Sequence, residues 1–403
     1  MSTSMTAVSV LDNPARMPAP ALAARVDAVI DAALAKQSLV GTVVLIAHDG
    51  DVVYRRAAGF ADRETQRAMR EDTVFRYASL TKPIVTVAAL RLVEAGVLRA
   101  DDPVTRWLPA FRPQLADGTE PVITVHQLLT HTSGLGYGFQ EPPDAPYRTF
   151  DVLDGMEYVP GATLADNLQR LAAAPLFAAP GSGFRYSLSL DVLGAVIERA
   201  TGSALPEVVE RLVTGPLKMG DTAFHAREPE RLAVPYADAR AERGETGPQR
   251  MNGDTVVPMP EGLGTTLRFS PDRALDASAY PSGGAGMVGT AEDFLRFLEA
   301  VRTGGAPFAE PSTAKRMFEP HVGAEAEVIG PGWGFGYGGA LLVDPAPTSA
   351  PMNAGTLLWG GVYGHMWFVD RAARLSVVAL TDTAFEGMIG GFTVEIQRAV
   401  YGR

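Results

Sequence analysis

The sequence of 403 residues contains no cysteine. This absence excludes disulfide bonds, thiolate nucleophiles and metal sites built on thiolates. It does not decide the compartment, because a chain without cysteine tolerates oxidising and reducing surroundings alike. Lysine is also scarce, with only four positions in the chain, Lys36, Lys82, Lys218 and Lys315. A lysine used in catalysis must therefore be one of these four.

Long apolar runs and an excess of positive charge are lacking as well. No apolar run reaches the ~18 residues of a membrane-spanning helix. The N-terminus lacks the basic start and the apolar core of a secretory signal. A net charge of −11 disfavours nucleic acids and anionic membranes as partners. These features predict a soluble, cytoplasmic protein that handles small neutral or apolar molecules, preceded by a disordered segment at residues 1–20.

Signatures of several enzyme classes are missing too. The Gly-x-Ser-x-Gly motif does not occur, which argues against an α/β-hydrolase. There is no His-Glu-x-x-His motif, and the six histidines are scattered, so we expect no metal site. Two Gly-x-Gly-x-x-Gly strings occur, but the one at 284–289 follows a turn and the one at 334–339 leads into a strand, whereas a dinucleotide site needs a strand before and a helix after. We therefore expect no cofactor.

Hydrophobic periodicity predicts β-structure at both ends of the chain and helices between them. Residues 21–37 have the pattern of an amphipathic helix. Two β-rich runs follow, and the Asp49-Gly50 pair between them is typical of a hairpin turn. Further strand-like runs and a last helix, over about 386–401, occupy the C-terminal third. The two ends can thus complete one antiparallel sheet.

The predicted fold class is α/β (α+β), with one catalytic unit over residues 21–403. Its α/β lobe comprises 21–75 and 280–403, and a mostly helical lobe comprises 76–279. Residues 225–280 are polar and rich in proline, which predicts long surface loops. An active site is expected between the two lobes.

Ser79 and Lys82 stand at the start of an apolar helix predicted over 79–95. Residues three apart share a helix face, so the lysine amine can reach the serine hydroxyl. A serine hydroxyl is a weak nucleophile without a neighbouring base, and burial favours the neutral form of an amine, which accepts protons. The same spacing recurs at Ser312 and Lys315. There we expect a helix N-cap and a solvated lysine, because no apolar helix surrounds them.

Three motifs, in this order, resemble the family VIII carboxylesterases, which are serine esterases of the class C β-lactamase kind, and especially the type called esterase B. The motifs are Ser79-x-x-Lys82, Tyr186-Ser187-Leu188 and Trp359-Gly360-Gly361. Residues 128–136, 281–297 and 330–337 support the resemblance, which extends from about residue 22 to the C-terminus. It implies a β-lactamase/penicillin-binding-protein-like fold, with an antiparallel sheet flanked by helices and a mostly helical lobe.

The resemblance also implies roles for individual residues. Ser79 would be the nucleophile and Lys82 its first proton acceptor. Tyr186 would share that proton and pass it to the leaving group. The backbone N–H groups of Ser79 and Val362 would form the oxyanion hole, which stabilises the charge that develops on the carbonyl oxygen.

Two departures from the β-lactamase pattern favour ester substrates. Leu188 replaces an asparagine, and Trp359 replaces a lysine that would hold a carboxylate. Both changes make the predicted pocket more apolar. The residues expected to contact substrate are Tyr137, Leu188, Trp359, Gly360 and Gly361, the two glycines because they would let their strand approach the ester closely.

The predicted function is hydrolysis of short-chain esters through an acyl-enzyme, with transfer of the acyl group to an alcohol as a further outcome. Two alternatives stay open. One is hydrolysis of β-lactams or D-aminoacyl peptides by the same fold, and the other is a non-catalytic binding protein. We expect structural roles for His131, which stands near Ser133, and for His365. The sequence leaves the oligomeric state open.

Overall fold

The computed structural model describes residues 19–142 and 145–403. Of the segment predicted to be disordered, residues 1–18 lie outside the described residues, and residues 19 and 20 begin the first helix. The helices of the described residues are α1 (Ala19–Ala35), α2 (Thr81–Glu94), α3 (Val125–Leu129), α4 (Pro146–Thr149), α5 (Leu164–Ala173), α6 (Ser189–Thr201), α7 (Leu205–Val209), α8 (Ala291–Thr303), α9 (Pro311–Lys315), α10 (Glu386–Ile389) and α11 (Gly391–Tyr401). A 3-10 turn over Ala78–Leu80 leads directly into α2.

The strands are β1 (Gly41–His48), β2 (Asp51–Asp62), β3 (Arg67–Ala68), β4 (Phe75–Arg76), β5 (Tyr236–Ala237), β6 (Gln249–Arg250), β7 (Thr255–Pro258), β8 (Thr266–Phe269), β9 (Val288–Gly289), β10 (Trp333–Phe335), β11 (Ala340–Leu342), β12 (Leu357–Gly361), β13 (His365–Asp370) and β14 (Leu375–Thr381). The predicted helix over 291–303 is found as α8. The predicted helix over 386–401 is interrupted at Gly390, which separates α10 from α11.

An eight-stranded antiparallel sheet joins the two ends of the chain. Its order is β10-β11-β12-β13-β14-β1-β2-β3, so the N-terminal hairpin lies beside the C-terminal strands. The β1–β2 hairpin turns at Asp49 and Gly50, with φ angles of 56° and 95°. Two positive φ angles are what the tight turn of a twisted hairpin requires. The predicted fold class is therefore confirmed.

Alternating side chains along the strands fill two cores. On β1, Val43 and Leu45 face the core that also contains α2 and α8. Val44 and Ile46 face the core beneath α1 and α11. Successive side chains of a strand point to opposite faces, so the continuous apolar run of β1 is buried on both sides. Helices thus cover both faces of the sheet and hold its central strands rigidly.

Residues 225–280 are mostly loops, as predicted, but they are neither wholly at the surface nor wholly without strands. They contain the strand pairs β5–β6 and β7–β8, and they bury Tyr236 and Phe269 completely. Strands of two to four residues are too short to show a period, so the polar and proline-rich composition concealed them. The division into lobes at 75/76 and 279/280 stays a prediction. In the part of the chain that the structure describes, no helix is both long and apolar enough to cross a bilayer.

Candidate active site

Ser79 lies where β4 gives way to α2. β4 is held by pairing with β9, and the turn that carries Ser79 follows directly. Ala78, the residue before the serine, has a φ of +47°. A residue with a Cβ adopts such a left-handed conformation at a cost of roughly 1–3 kcal/mol, which the surrounding packing must offset. This backbone places the Ser79 side chain on the floor of a cleft, where it is 8% exposed.

Lys82 is directed at the serine from the first turn of α2. Its side chain is buried, and its Nζ donates hydrogen bonds to Ser79 Oγ at 3.1 Å and to the Gly284 carbonyl oxygen at 2.8 Å. The same Nζ lies 4.6 Å from the centre of the Tyr186 ring. The backbone carbonyl therefore fixes the amine against the hydroxyl whose proton it would receive.

Tyr186 approaches Ser79 from the loop before α6. Its hydroxyl donates to Ser79 Oγ at 2.7 Å and accepts a hydrogen bond from Trp359 Nε1 at 3.3 Å. The structure thus brings together side chains from three distant parts of the chain. Ser79, Lys82, Tyr186 and Trp359 form one connected hydrogen-bonded group.

The end of β12 forms the opposite side of the floor. A Cβ added at Gly361 would lie 2.5 Å from the Tyr77 carbonyl oxygen, so only glycine permits this approach to the turn that carries the nucleophile. Gly360 and Val362 line the cleft with Ser79. Gly361 is buried against the turn and does not line the cleft, and its contact with substrate stays a prediction. The role of the Val362 N–H as an oxyanion donor stays a prediction.

The cleft above Ser79 has a volume of about 860 Å³ and a largely apolar lining. The inner wall is aromatic and includes Phe139, Phe184 and Trp359. Two arginines reach the lining, and both have acidic partners: Arg185 pairs with Glu141 and Arg398 pairs with Glu395. The cleft is therefore suited to an uncharged molecule.

Two other residues with predicted substrate contacts, Tyr137 and Leu188, do not line the cleft either, and their contact with substrate stays a prediction. Leu188 is fully buried and forms the N-cap position of α6. Tyr137 is 2% exposed, and its ring centre lies 5.3 Å from Lys82 Nζ and 5.2 Å from the Tyr186 ring centre. Burial raises the pKa of Tyr137 well above its ordinary value. Both side chains support the centre of the site from behind and do not face the cleft.

The contacts of His131, the histidine near Ser133, fit the expected structural role. His131 Nδ1 contacts Ser187 Oγ at 3.1 Å, whereas Ser133 Oγ contacts Ser189 Oγ at 2.8 Å. Burial lowers the pKa of His131 well below its ordinary value. The neutral ring anchors the loop before α6 and makes no pair with Ser133.

His365 has a similar position behind β4. Its Nε2 donates to the Arg76 carbonyl oxygen at 2.8 Å, and burial lowers its pKa to about 4.

Ser312 and Lys315, which repeat the first motif's spacing, are exposed on α9. Ser312 lies inside that helix and does not cap it. Among the described residues, no group of three His, Asp or Glu side chains is arranged to hold a metal ion.

Sequence reasoning missed Gly284 and the outer part of the cleft. The sequence did contain a signal for Gly284, the glycine-rich stretch 283–286. In the structure, a Cβ at Gly284 would lie 2.5 Å from Asp191 Oδ2. The close approach of the Asp191 carboxylate therefore favours a glycine at this position. The outer wall includes Met388 and Val394 on α10 and α11. No local pattern could reveal it, since the packing of those helices decides which side chains face the cleft.

Comparison with known proteins tests the resemblance that the motifs suggested. The family model described as Beta-lactamase matches residues 26–392. The chain is 54% identical to Esterase EstB of Burkholderia gladioli, over 99% of this chain and 100% of that protein. These matches confirm the resemblance inferred from the three motifs.

Solved structures lead to the same fold. EstCE1, described as a hydrolase with promiscuous acyltransferase activity, superimposes with a TM-score of 0.93 at 48% identity, covering 96% of this chain and 100% of that one. An octameric penicillin-binding protein homologue from Pyrococcus abyssi gives a TM-score of 0.69 at 20% identity, over 94% of this chain and 77% of that one. The second likeness concerns the fold alone.

Proposed function

Because the chain belongs to the beta-lactamase family, we propose that it is a serine carboxylesterase that forms its acyl-enzyme on Ser79. The observation that carries the proposal is the meeting of Lys82 Nζ and the Tyr186 hydroxyl on Ser79 Oγ, at 3.1 and 2.7 Å. A nucleophile with two proton-handling neighbours favours catalysis over binding alone. The names of the similar proteins, Esterase EstB and the hydrolase EstCE1, support an ester as substrate.

Acylation begins when Ser79 Oγ attacks the ester carbonyl carbon and its proton passes to Lys82 Nζ. The carbonyl oxygen gains negative charge, which the backbone N–H groups of Ser79 and Val362 would stabilise. When the C–O bond to the alcohol breaks, the alcohol oxygen takes the Tyr186 proton. Lys82 then returns a proton to Tyr186, so no proton is gained or lost.

Deacylation repeats these transfers with water as the nucleophile. Water gives a proton to the Tyr186 and Lys82 pair and attacks the acyl carbon. The pair returns that proton to Ser79 Oγ as the bond between Oγ and the acyl carbon breaks, which releases the acid. An alcohol in the place of water would give a new ester by the same steps. Transfer to alcohols is therefore part of the proposal, and an apolar cleft favours it because it concentrates alcohols near the acyl group.

Uncharged esters fit the cleft better than β-lactams or peptides. Trp359 stands where the resemblance gives β-lactamases a lysine, and both lining arginines have acidic partners. Little positive charge is therefore available to hold a substrate carboxylate. We expect kcat/KM for a short p-nitrophenyl ester to exceed that for a chromogenic cephalosporin, and the reverse ranking would favour the β-lactamase alternative.

The substrate we propose has a short acyl group and a larger apolar portion. A short ester fills only part of a cleft of about 860 Å³. At the mouth, four large apolar side chains are exposed in the free protein, namely Leu263 (38%), Ile329 (46%), Ile389 (46%) and Val394 (41%). We call these four residues the apolar rim. Covering it with substrate removes apolar surface from water, which favours binding.

The decisive experiment is covalent labelling. A fluorophosphonate should add once per chain, and peptide mass spectrometry should place the adduct on Ser79. Ser79→Ala should lose both labelling and ester hydrolysis, while Ser312→Ala, which alters the exposed copy of the motif spacing, should keep both. An adduct on Ser133 or Ser312, or full activity in Ser79→Ala, would reject the proposal. A cytoplasmic location and independence from nucleic acid stay predictions, which cell fractionation and binding assays would test.

A further inference from the structure

Trp359 makes a hydrogen bond that would not be needed if its side chain only formed part of the cleft wall. Its indole Nε1 donates to the Tyr186 hydroxyl at 3.3 Å, while that hydroxyl donates to Ser79 Oγ at 2.7 Å. Aromatic neighbours hold the indole in this orientation, because its ring centre lies 5.1 Å from that of Tyr186 and 5.6 Å from that of Phe335. The backbone of Trp359 is fixed by its pairing with Trp367 on β13.

We infer that Trp359 is a positioning residue for proton transfer, whose indole N–H stabilises the Tyr186 oxygen while that oxygen lacks its proton. The inference rests on the proposed function and assigns Trp359 a second role within it. After Tyr186 gives its proton to the departing alcohol, and before Lys82 replaces it, the phenol oxygen carries negative charge. A hydrogen bond to a charged oxygen is roughly twice as strong as one to a neutral oxygen. The indole N–H therefore contributes most at that moment.

An indole suits this position because it donates a hydrogen bond without carrying a charge. A lysine in its place could also donate to Tyr186, but its charge would attract carboxylate-bearing molecules into the cleft. Trp359 separates these two effects. The phenol oxygen keeps a donor, and the cleft keeps its preference for uncharged esters.

The test uses two esters that share an acyl group, ethyl butyrate and p-nitrophenyl butyrate. p-Nitrophenolate leaves without a proton, whereas ethoxide needs one from Tyr186. Trp359→Phe removes the N–H but keeps an aromatic wall. We expect kcat/KM for ethyl butyrate to fall about tenfold, the lower end of the loss when a hydrogen bond to a charged group is removed. The value for p-nitrophenyl butyrate should change little.

Two further variants separate this role from a structural one. In a Tyr186→Phe background, Trp359→Phe should cost nothing more, because the acceptor of its hydrogen bond is gone. Trp367→Phe is the matched control: it removes an indole N–H from the neighbouring strand that, among the described residues, has no hydrogen-bond partner. This control should leave the ratio between the two esters unchanged, whatever its effect on thermal stability.

Equal losses on both esters, or a loss that persists in the Tyr186→Phe background, would overturn the inference and leave Trp359 as a wall only. If Trp359→Phe does not fold, 3-benzothienylalanine at this position replaces the N–H by sulfur with nearly the same shape, and the same ratio decides. These outcomes are distinct from failure of the proposed function. In that case Ser79 would not be labelled, or Tyr186→Phe alone would keep the full rate on both esters.

Discussion

The floor of the cleft consists of polar groups fixed by hydrogen bonds, whereas its mouth consists of exposed apolar side chains. At the floor, Ser79, Lys82 and Tyr186 are joined by hydrogen bonds of 2.7 and 3.1 Å, on backbone that packing holds rigidly. At the mouth, the apolar rim exposes its side chains to solvent. Proton transfer depends on position within fractions of an ångström, whereas apolar contact depends mainly on area. Changes at the floor should therefore affect kcat, and changes at the rim should affect KM.

The largest effect is expected at the floor itself. Lys82→Ala and Tyr186→Phe should each lower kcat by at least ~10²-fold, the scale of general acid–base catalysis. KM should change little, because neither side chain is needed to hold the apolar part of the substrate. Steady-state kinetics on ethyl butyrate, whose leaving group needs a proton from Tyr186, measures both constants. Lys315→Ala, in the exposed copy of the motif spacing, is the control and should match wild type. A near-full rate in Tyr186→Phe would contradict the assignment.

The next effect tests how rigid the floor must be. Gly361→Ala would place a Cβ 2.5 Å from the Tyr77 carbonyl oxygen and force β12 away from the turn that carries the nucleophile. Displacement of a reacting group by about 1 Å can cost ~10²-fold in rate, so kcat should fall on that scale. Gly220→Ala is the control, because no atom lies within 4 Å of a Cβ added there. Unchanged kcat in a folded Gly361→Ala variant would show that the approach of β12 is not needed.

A smaller effect is expected in how stability depends on pH, through a hydrogen bond that supports α10 beside the mouth of the cleft. Asp238 accepts a hydrogen bond from the Glu386 backbone N–H at the start of α10. Burial, with the Glu386 carboxylate nearby, raises the pKa of Asp238 from 3.8 to about 7. A raised folded-state pKa means that the protonated carboxyl is stabilised. This contribution is complete below pH 3.8 and is lost as the pH rises to about 7.

The expected change in the free energy of unfolding over this window is about 2 kcal/mol, after allowance for partial access of water. Denaturant unfolding at several pH values between 4 and 7.5 measures it. Asp238→Asn should flatten the pH dependence by that amount, because the amide does not titrate. An identical slope in the variant and in wild type would show that Asp238 does not titrate in this window.

The smallest effect is expected at the rim. Ile389→Ser and Val394→Ser each remove apolar surface from the mouth, which corresponds to roughly 1 kcal/mol, or about fivefold in KM for a large ester. A short acetate ester should be unaffected, and kcat should not change for either substrate. Val256→Ser provides the control, since Val256 is 52% exposed and does not line the cleft. Equal KM increases for short and large esters would remove the rim from substrate binding.

The central side chains of the site were predictable from the sequence because they follow local rules. The spacing of Ser79 and Lys82 on one helix places them together wherever that helix lies. The Asp49-Gly50 turn and the apolar strands likewise report backbone geometry and burial directly. Tyr186 and Trp359 came from the resemblance, since no local pattern connects them to Ser79.

Other features escaped prediction for physical reasons. Tyr137 and Leu188 were expected to face the substrate, yet packing buries both and neither lines the cleft. The Gly284 carbonyl is a backbone atom, and its direction depends on how its loop packs against Asp191. The short strands at 236–269 have too few residues for any period.

The sequence by itself determined the order of the longer strands and helices, the antiparallel sheet that joins both chain ends, and the proximity of Ser79 and Lys82. Hydrophobic periodicity and helix spacing are local properties, because they depend only on residues that are close together in the sequence. Only the tertiary structure decided which side chains face the cleft, how wide the cleft is, and that the Trp359 N–H meets the Tyr186 oxygen. Those properties arise where β12, the loop before α6 and the turn at Ser79 come together, and their mutual distances depend on the packing of the whole core.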